Sequence, residues 1–469
     1  MHLKKIVIIG LTIYLITLSL LLGQQKNLSQ EEQSWLKQSF RSEKNGWIYL
    51  HIEGPPFQRG FQHGYLLAKE IAEFLRVEKY MCWWNTGKKF DFFVNHTLDM
   101  FKDKIEPEYQ QEMKGIAAGA AKAGIQVSYE DIVYLNASIE IMGYWYPWYK
   151  DHNHQPTKTG GCSAFIATGK STADNGIVMV HNTWTHFAFA NCYVILDLLP
   201  ENGSRILMQA FPGAIHSGMD FFITSAGILG TETTIEGFKG FDPSGAPEFT
   251  RIRKTMQYAK NIDDCCKIMI EKNNGGYANT WLFGDIKTGE IARLELGLKN
   301  HKIERTTDGF YTGSNITRDI RILRDETKDD YDDIRNSNIA RRVRWKQLFA
   351  QYNGKINIKT AQIMLGDHYD VYLNKELPNS RSICGHGELD PANIPSSWAK
   401  PFYPLGSIDA KVVDSKLARE MKFWAKWGSS CNIPFDASKF LKEHQQYDYL
   451  EGYLKDRPSQ PWTLFSIKK

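Results

Sequence analysis

The chain has no Cys-x-x-Cys pair, no internal repeat, no low-complexity tract and, past Leu22, no apolar run long enough to cross a bilayer. Each absence removes a class of protein. Without Cys-x-x-Cys spacing, zinc ribbons and dithiol redox motifs are excluded, and no metal site or cofactor is expected. Without a repeat, solenoids and propellers are excluded. Without a second apolar run, the chain cannot be a multi-span helical membrane protein. An excess of one charge sign is also missing. The 57 Lys and Arg nearly balance the 53 Asp and Glu, leaving a net charge of +4. That balance gives no electrostatic footprint for nucleic acid. The densest charge cluster, residues 325–333 with Lys328 inside it, reads as a solvated surface turn.

What is present suits a large enzyme. The 469 residues exceed one small domain but fit one large mixed unit with appendages. A hydrophobic content of 42% is ample for a buried core. Lys4 and Lys5 precede the apolar residues 6–22. Residues 1–23 are therefore expected to be a signal peptide or an N-terminal anchor, which places the body of the protein outside the cytoplasm. Seven cysteines in an exported chain permit disulfides, and the odd count leaves at least one thiol free or paired between chains.

Helical signals dominate residues 24–161. Ser29-x-x-Glu32 opens a capped helix, and residues 47–52 read as a strand. A helix is expected over 57–77, where Gly60 and Gly64 each cost about 1 kcal/mol against alanine and so signal close packing. Further helices are expected over 109–123 and from Ser128, with Asp131 in the first turn. The character of the chain changes over 145–161, and residues 151–161 are polar and rich in breakers. His152 and His154 fall there with His-x-His spacing and read as solvated, not as ligands. After the loop come strands in hairpins at 162–168 and 176–182, 193–199 and 205–211, and 279–285 and 290–296. Helices are expected near 247–272, 336–351, 359–366, 413–427 and 436–455. This order fits a layered sandwich of helices and sheets.

Cys162 stands where helices give way to strands, behind Gly160 and Gly161. A thiol there can attack the preceding carbonyl and shift the acyl group from nitrogen to sulfur, and the glycines leave that carbonyl sterically open. Hydrolysis of the resulting thioester would cut the Gly161–Cys162 bond and free an α-amine. That amine has an ordinary pKa of about 7.7–8.0, close to about 8.5 for the thiol. One residue then carries both nucleophile and base.

Gly161-Cys162-Ser163-Ala164-Phe165, followed at hairpin distance by His181-Asn182-Thr183-Trp184, resembles the phospholipase B-like family. Matches follow in the same order: Glu232-Thr233-Thr234-Ile235, Asn279-Thr280-Trp281, Ser314-Asn315-Ile316, Leu389-Asp390-Pro391-Ala392-Asn393, and Gly406 through Val412. Residues 46–70 and Ser382-Ile383-Cys384-Gly385-His386 are similar to a wider group, the penicillin acyltransferase-like autoproteolytic cysteine hydrolases. That group usually has arginine where Gly385 stands and often aspartate where Trp184 stands. The resemblance implies an α+β fold, a four-layer αββα N-terminal-nucleophile (Ntn) hydrolase sandwich of two stacked antiparallel sheets. It implies self-cleavage into an N-terminal piece that stays associated and a catalytic chain, 162–469, with a mixed C-terminal extension. It also implies hydrolysis of a small acyl substrate, a lipid ester or an N-acyl amide.

Around Cys162 the candidate catalytic residues are His181, to polarise substrate or hold the thiolate, Thr233, to orient the amine, and Asn279, to donate to an oxyanion. Trp184 is the candidate pocket wall and Arg318 the candidate partner of an acidic substrate group. Cys384 and Cys431, both in turn-like polar settings, are the expected disulfide pair. Three other functions compete. They are acyl transfer, a non-catalytic lipid- or peptide-binding protein using Trp83, Trp84, Trp145 and Trp148, and a conventional cysteine protease pairing Cys162 with His181 or His216.

Overall fold

A computed structural model describes residues 28–150, 161–191, 193–392 and 400–468. The targeting segment, His152, His154, Cys192 and Asn393 lie outside the described residues. Among the described residues, no helix is long and apolar enough to cross a membrane.

Two large sheets form the centre. Numbered in chain order, the nine-stranded sheet runs β1 (Phe40–Lys44), β2 (Trp47–Gly54), β5 (Val194–Pro200), β6 (Ile206–Ala210), β7 (Phe221–Thr224), β8 (Ile228–Thr234), β9 (Asn279–Asp285), β10 (Glu290–Leu296), β11 (His301–Thr306). The six-stranded sheet runs β12 (Gly309–Gly313), β3 (Cys162–Gly169), β4 (Asn175–His186), β15 (Leu405–Asp414), β16 (Lys422–Trp427), β17 (Thr463–Ser466). A small ribbon pairs β13 (Tyr369–Asp370) with β14 (Lys375–Glu376).

The two large sheets stack, with β3 and β4 of one facing β8 of the other. Helices Pro56–Leu66, Glu248–Tyr258 and Ile262–Ile270 pack on the nine-stranded sheet, and Ser337–Tyr352 and Ile358–Leu365 pack on the six-stranded sheet. The result is the four-layer αββα sandwich expected from the sequence. Strand β3 explains why the layers adhere. Its alternate residues Ala164 and Ile166 enter the core between the sheets, while Phe165 and Ala167 enter the core under the outer helices. Both faces of one strand are thus buried, and period-two alternation serves two cores at once.

One strand pair departs from the antiparallel expectation. β2 pairs β5 in parallel. Reaching a parallel neighbour requires a crossover, and here the whole run of N-terminal helices together with β3 and β4 supplies it. Residues 40–54 therefore contribute two strands to the nine-stranded sheet. At the other end, β15, β16 and β17 make up half of the six-stranded sheet.

Other boundaries differ for local reasons. The helix expected over 57–77 is two helices, Pro56–Leu66 and Ala68–Thr86, broken where Leu67 takes φ −115° and ψ 19°. Helical structure continues through Tyr146–Lys150, as far as the segment read as loop, of which residues 151–160 lie outside the described residues. The helix expected over 413–427 is mostly strand. β15 runs to Asp414, whose side chain caps a short helix, Ser415–Arg419, and Met421 then takes a positive φ of 51° before β16 begins. Residues 436–455 hold only Ala437–Glu443 and a 3-10 turn, Gln445–Leu450. The acidic stretch is not merely a solvated turn. The buried Glu326 carboxylate accepts from the N–H groups of Leu298, Lys299 and Asn300. Of the tryptophans considered as a binding surface, Trp145 is buried, and Trp148 is half-buried against Phe241. Trp83 and Trp84 are exposed, and Trp84 stacks on Tyr449.

Close packing accounts for Gly60 and Gly64. Helices Pro56–Leu66 and Pro107–Lys122 meet through Gly60, Gly64, Gly115 and Gly119, and a Cβ on any of them would press into a backbone atom of the other helix. Beside this contact, buried Glu112 accepts from Arg59 Nε at 2.7 Å and from both terminal nitrogens of Arg253 at 2.9 Å. Replacing Gly64 with alanine should destabilise the protein by about 1–3 kcal/mol, because rigid backbone must move to admit the methyl group. A lower urea midpoint with unchanged slope would record this, and an unchanged midpoint would refute it.

Candidate active site around Cys162

Cys162 is the first residue of β3 and lies opposite Thr183 of β4. Strand alternation sorts the neighbours. His181 and Thr183 share the inter-sheet face with the Cys162 side chain, whereas Asn182 and Trp184 lie on the outer, helix-covered face.

The backbone of Cys162 is held at both ends. Its N–H donates to Asn315 Oδ1 at 2.8 Å, and its carbonyl accepts from Arg341 Nη1. Arg341 reaches in from helix Ser337–Tyr352, and its Nη2 donates to the same Asn315 Oδ1 at 2.9 Å. Asn315 Nδ2 in turn donates to the Thr234 carbonyl of β8 at 2.9 Å, so one amide joins the two sheets. Asn315 sits at φ 66°, a left-handed conformation that asparagine tolerates better than most residues. The Gly161 carbonyl accepts from the Trp184 N–H at 3.0 Å, which fixes the peptide bond before the cysteine. Arg341 also lies over the Trp184 ring, 4.3 Å from its centroid.

The thiol faces a charged interior. Donor atoms of Cys162, His181 and Asp220 all lie within 4.8 Å of one another. Burial pushes the Cys162 thiol up to about 12, and the Asp220 charge adds to this, against the Trp184 N–H, Lys411 and Arg341. Burial, with the nearby Lys411 ammonium, holds His181 well below the ordinary imidazole range, so its ring is neutral. Lys411 Nζ donates to Asp409 Oδ1 at 2.7 Å and to Thr183 Oγ1, and His181 Nδ1 lies 3.3 Å from that hydroxyl. Glu232 lies beside Asp220. Burial and the Asp220 charge raise its pKa well above normal, and burial brings Asp220 up to about 6. Two adjacent buried carboxyls cannot both ionise cheaply, so the pair holds a proton. Tyr277 OH donates to Glu232 Oε1 at 2.8 Å and lies 3.3 Å from Asp220 Oδ2.

Of the residues singled out in the sequence, His181 joins Cys162 directly. Thr233 and Asn279 lie on the paired strands β8 and β9. Thr233 Oγ1 is buried without a hydrogen bond, against Gly313. The Asn279 amide is buried with neither its oxygen nor its nitrogen bonded. Trp184 packs on the outer face, directly over Gly385. Arg318 Nη2 contacts Thr312 Oγ1 at 3.3 Å, on the run where its own N–H donates to Glu295, and no contact joins it to the Cys162 cluster. His216 is buried against Phe211 and Phe249, outside the cluster that His181 enters. Cys384 and Cys431 are neighbours, but each is a free thiol, not half of a disulfide. Asn315, Arg341, Asp220 and Lys411 were not singled out. Asn315 and Lys411 stood inside motif matches, whereas Arg341 and Asp220 carried no local signal.

Fold and site together define a layered α+β protein with a clamped cysteine at the start of a central strand. A model of the phospholipase B family matches residues 57–300, more than half of the chain, and the chain belongs to that family. An uncharacterized protein of Archaeoglobus fulgidus is 26% identical over 393 residues, which cover 78% of this chain and 63% of that protein. A phospholipase B-like 2 protein of Bos taurus is 22% identical over 58% of this chain and 53% of its own length. The chain thus spans less than two thirds of the length of these relatives. Among solved structures, a mutant form of a conjugated bile acid hydrolase from Clostridium perfringens is similar, with a TM-score of 0.36 and 8% identity. That match covers 66% of this chain and 97% of the other.

Asp220 gives a pH signature. Its folded pKa of about 6 lies above its ordinary 3.8, so the native state binds this proton more tightly than the unfolded state does. That contribution to stability is present below pH 3.8 and is lost as pH rises through about 6. Asp220→Asn removes the titration. The urea midpoint of the variant relative to the natural chain should therefore rise from pH 4 to pH 7, and a flat difference would refute it.

Proposed function

We propose that the chain is an autoprocessed cysteine Ntn hydrolase that cleaves an acyl ester or amide through a thioester on Cys162. The observation that carries this reading is the clamp on the cysteine backbone. Any buried N–H needs an acceptor, but here the acceptor is a side-chain amide that is itself held by Arg341 and by the Thr234 carbonyl, a support that would keep an amine in place after the Gly161–Cys162 bond is cut. Asn315 Oδ1 is placed to do this.

The Cys162 sulfur attacks the Gly161 carbonyl carbon, the carbon–nitrogen bond breaks, and the nitrogen takes up a proton. Water then hydrolyses the thioester, releasing Gly161 as a carboxylic acid and Cys162 as a free amine. In the uncut chain burial keeps the thiol protonated, so a base must take its proton, and Asp220, with its pKa near 6, is the acceptor at neutral pH. Once the amine is free it replaces Asp220 as base, and the Asp220–Glu232–Tyr277 group then balances the site. The unpaired Asn279 amide supplies the oxyanion donor assigned to it in the sequence, and the Thr233 hydroxyl, also unpaired, orients the amine. The N-terminal piece stays associated, because β2 is hydrogen-bonded along its length to β5 and the helices after β2 fill the shared core. The substrate class is that of the family, a lipid ester or a related N-acyl compound, and export from the cytoplasm remains part of the proposal.

Denaturing electrophoresis of the purified protein should show two fragments, the larger beginning at Cys162. Cys162→Ala should stay intact, and Asn315→Ala should process about tenfold more slowly or worse, given about 1.5–3 kcal/mol for a hydrogen bond to a charged group. A natural chain that stays in one piece through prolonged incubation would overturn the proposal.

A further inference from the structure

A second group of reactive side chains lies outside the Cys162 site. His368, Cys384, His386 and Cys431 each present one donor atom, and all four atoms lie within 4.8 Å of one another. Three separate segments bring them together. His368 follows helix Ile358–Leu365, Cys384 and His386 flank Gly385, and Cys431 follows β16.

The spacing inside the group is that of ligands around an ion. His386 Nε2 lies 3.2 Å from Cys431 Sγ and 3.4 Å from Cys384 Sγ. A tetrahedral zinc with bonds of about 2.3 Å to sulfur and about 2.0–2.1 Å to nitrogen holds its sulfur and nitrogen ligands about 3.6 Å apart. His386 Nδ1 meets Glu388 Oε1 at 2.8 Å, the carboxylate contact that fixes the tautomer of a metal-bound imidazole. His368 Nε2 is buried without a hydrogen bond. A nucleophile–base pair would place one sulfur on the imidazole, whereas here two sulfurs share a single ring nitrogen.

The segments are locked before any ion arrives. Asn182 Nδ2 donates to the carbonyls of Leu365 at 2.8 Å and Ile383 at 3.2 Å, and Ser430 Oγ donates to Leu365 at 2.7 Å. The Cys384 N–H donates to Asp367 at 3.1 Å. Buried groups held in this way lose little entropy when an ion joins them.

We infer that His368, Cys384, His386 and Cys431 form a structural zinc site. Zn2+ enters and two H+ leave, so that the ion is held by two thiolates and two neutral imidazoles. Four protein ligands fill a tetrahedral ion and leave no place for substrate, so the site ties segments together instead of doing chemistry. It braces the outer face of β4 and β15, next to the Trp184–Arg341 contact that holds the Cys162 carbonyl.

The full-length protein, purified with reductant and dialysed exhaustively, should retain one zinc per chain. Replacement by Co2+ should give the visible bands of a tetrahedral ion and a near-ultraviolet thiolate-to-cobalt charge transfer. Cys384→Ser and Cys431→Ser should each weaken that charge transfer and together abolish it, whereas Cys162→Ala should keep it. Glu388→Gln, which spares all four ligands, should weaken zinc binding by about 10–100-fold in competition with a chelator. Three results would each overturn the inference: no retained zinc with no charge transfer in the natural chain, the mass of a Cys384–Cys431 disulfide, or a charge transfer that survives the two serine substitutions together.

Discussion

The site depends on the bonding of one peptide unit. Cys162 has its N–H on Asn315 and its carbonyl under Arg341, while the preceding carbonyl is held by the Trp184 N–H. These partners come from three different places: the loop after β12, an outer helix, and β4. Asn315 also reaches β8 in the facing sheet. The position of the sulfur is therefore set by the stacking of the layers and not by β3 alone. From Gly161 onward each backbone group beside the sulfur has a bonded partner.

Alternation along β3 and β4 divides the labour. The inner face carries Cys162, His181 and Thr183 toward Asp220, Glu232 and Lys411. The outer face carries Asn182 and Trp184 toward the helices and the Cys384–His386 turn. So many buried charges are costly unless paired. Lys411 is bonded to Asp409, which also accepts from Gln209 at 2.6 Å, and Asp220 shares its proton with Glu232. The interior can thus hold a neutral histidine and a neutral thiol close to ionisable groups.

How much of this was legible in the sequence follows from the range of each signal. Capping boxes at Ser29 and Ser128 involve four consecutive residues, and both are present. The hairpin that returns His181 to Cys162 is also local, with one turn setting the register. The close-packed glycines were legible because glycine inside a helix is costly and needs a reason. Residues 413–427 misled because Lys-Phe-Trp-Ala-Lys-Trp fits either period, and only pairing with β15 and β17 decides for strand. Arg341 and Asp220 were invisible, since an arginine on a helix and an aspartate before a strand have no pattern until the layers stack. The four-residue cluster at Cys384 was hidden for the same reason. Its ligands span residues 368–431, so the absence of Cys-x-x-Cys spacing excluded only the compact zinc motifs.

Two positions at which this chain departs from the wider hydrolase group are in contact. That group usually carries arginine at the position of Gly385 and often aspartate at the position of Trp184, residues of opposite charge. In this chain the two positions touch, and a Cβ at 385 would overlap the Trp184 indole. A side chain at 385 would therefore have to displace the tryptophan at 184, so the residues at the two positions depend on one another. The indole keeps a cation nonetheless, because Arg341 lies over its ring. That positive charge comes from helix Ser337–Tyr352, and the same guanidinium reaches the Cys162 carbonyl. Cys384 and His386 flank Gly385, the position without a side chain, and His386 Nε2 lies 3.4 Å from Cys384 Sγ and 3.2 Å from Cys431 Sγ.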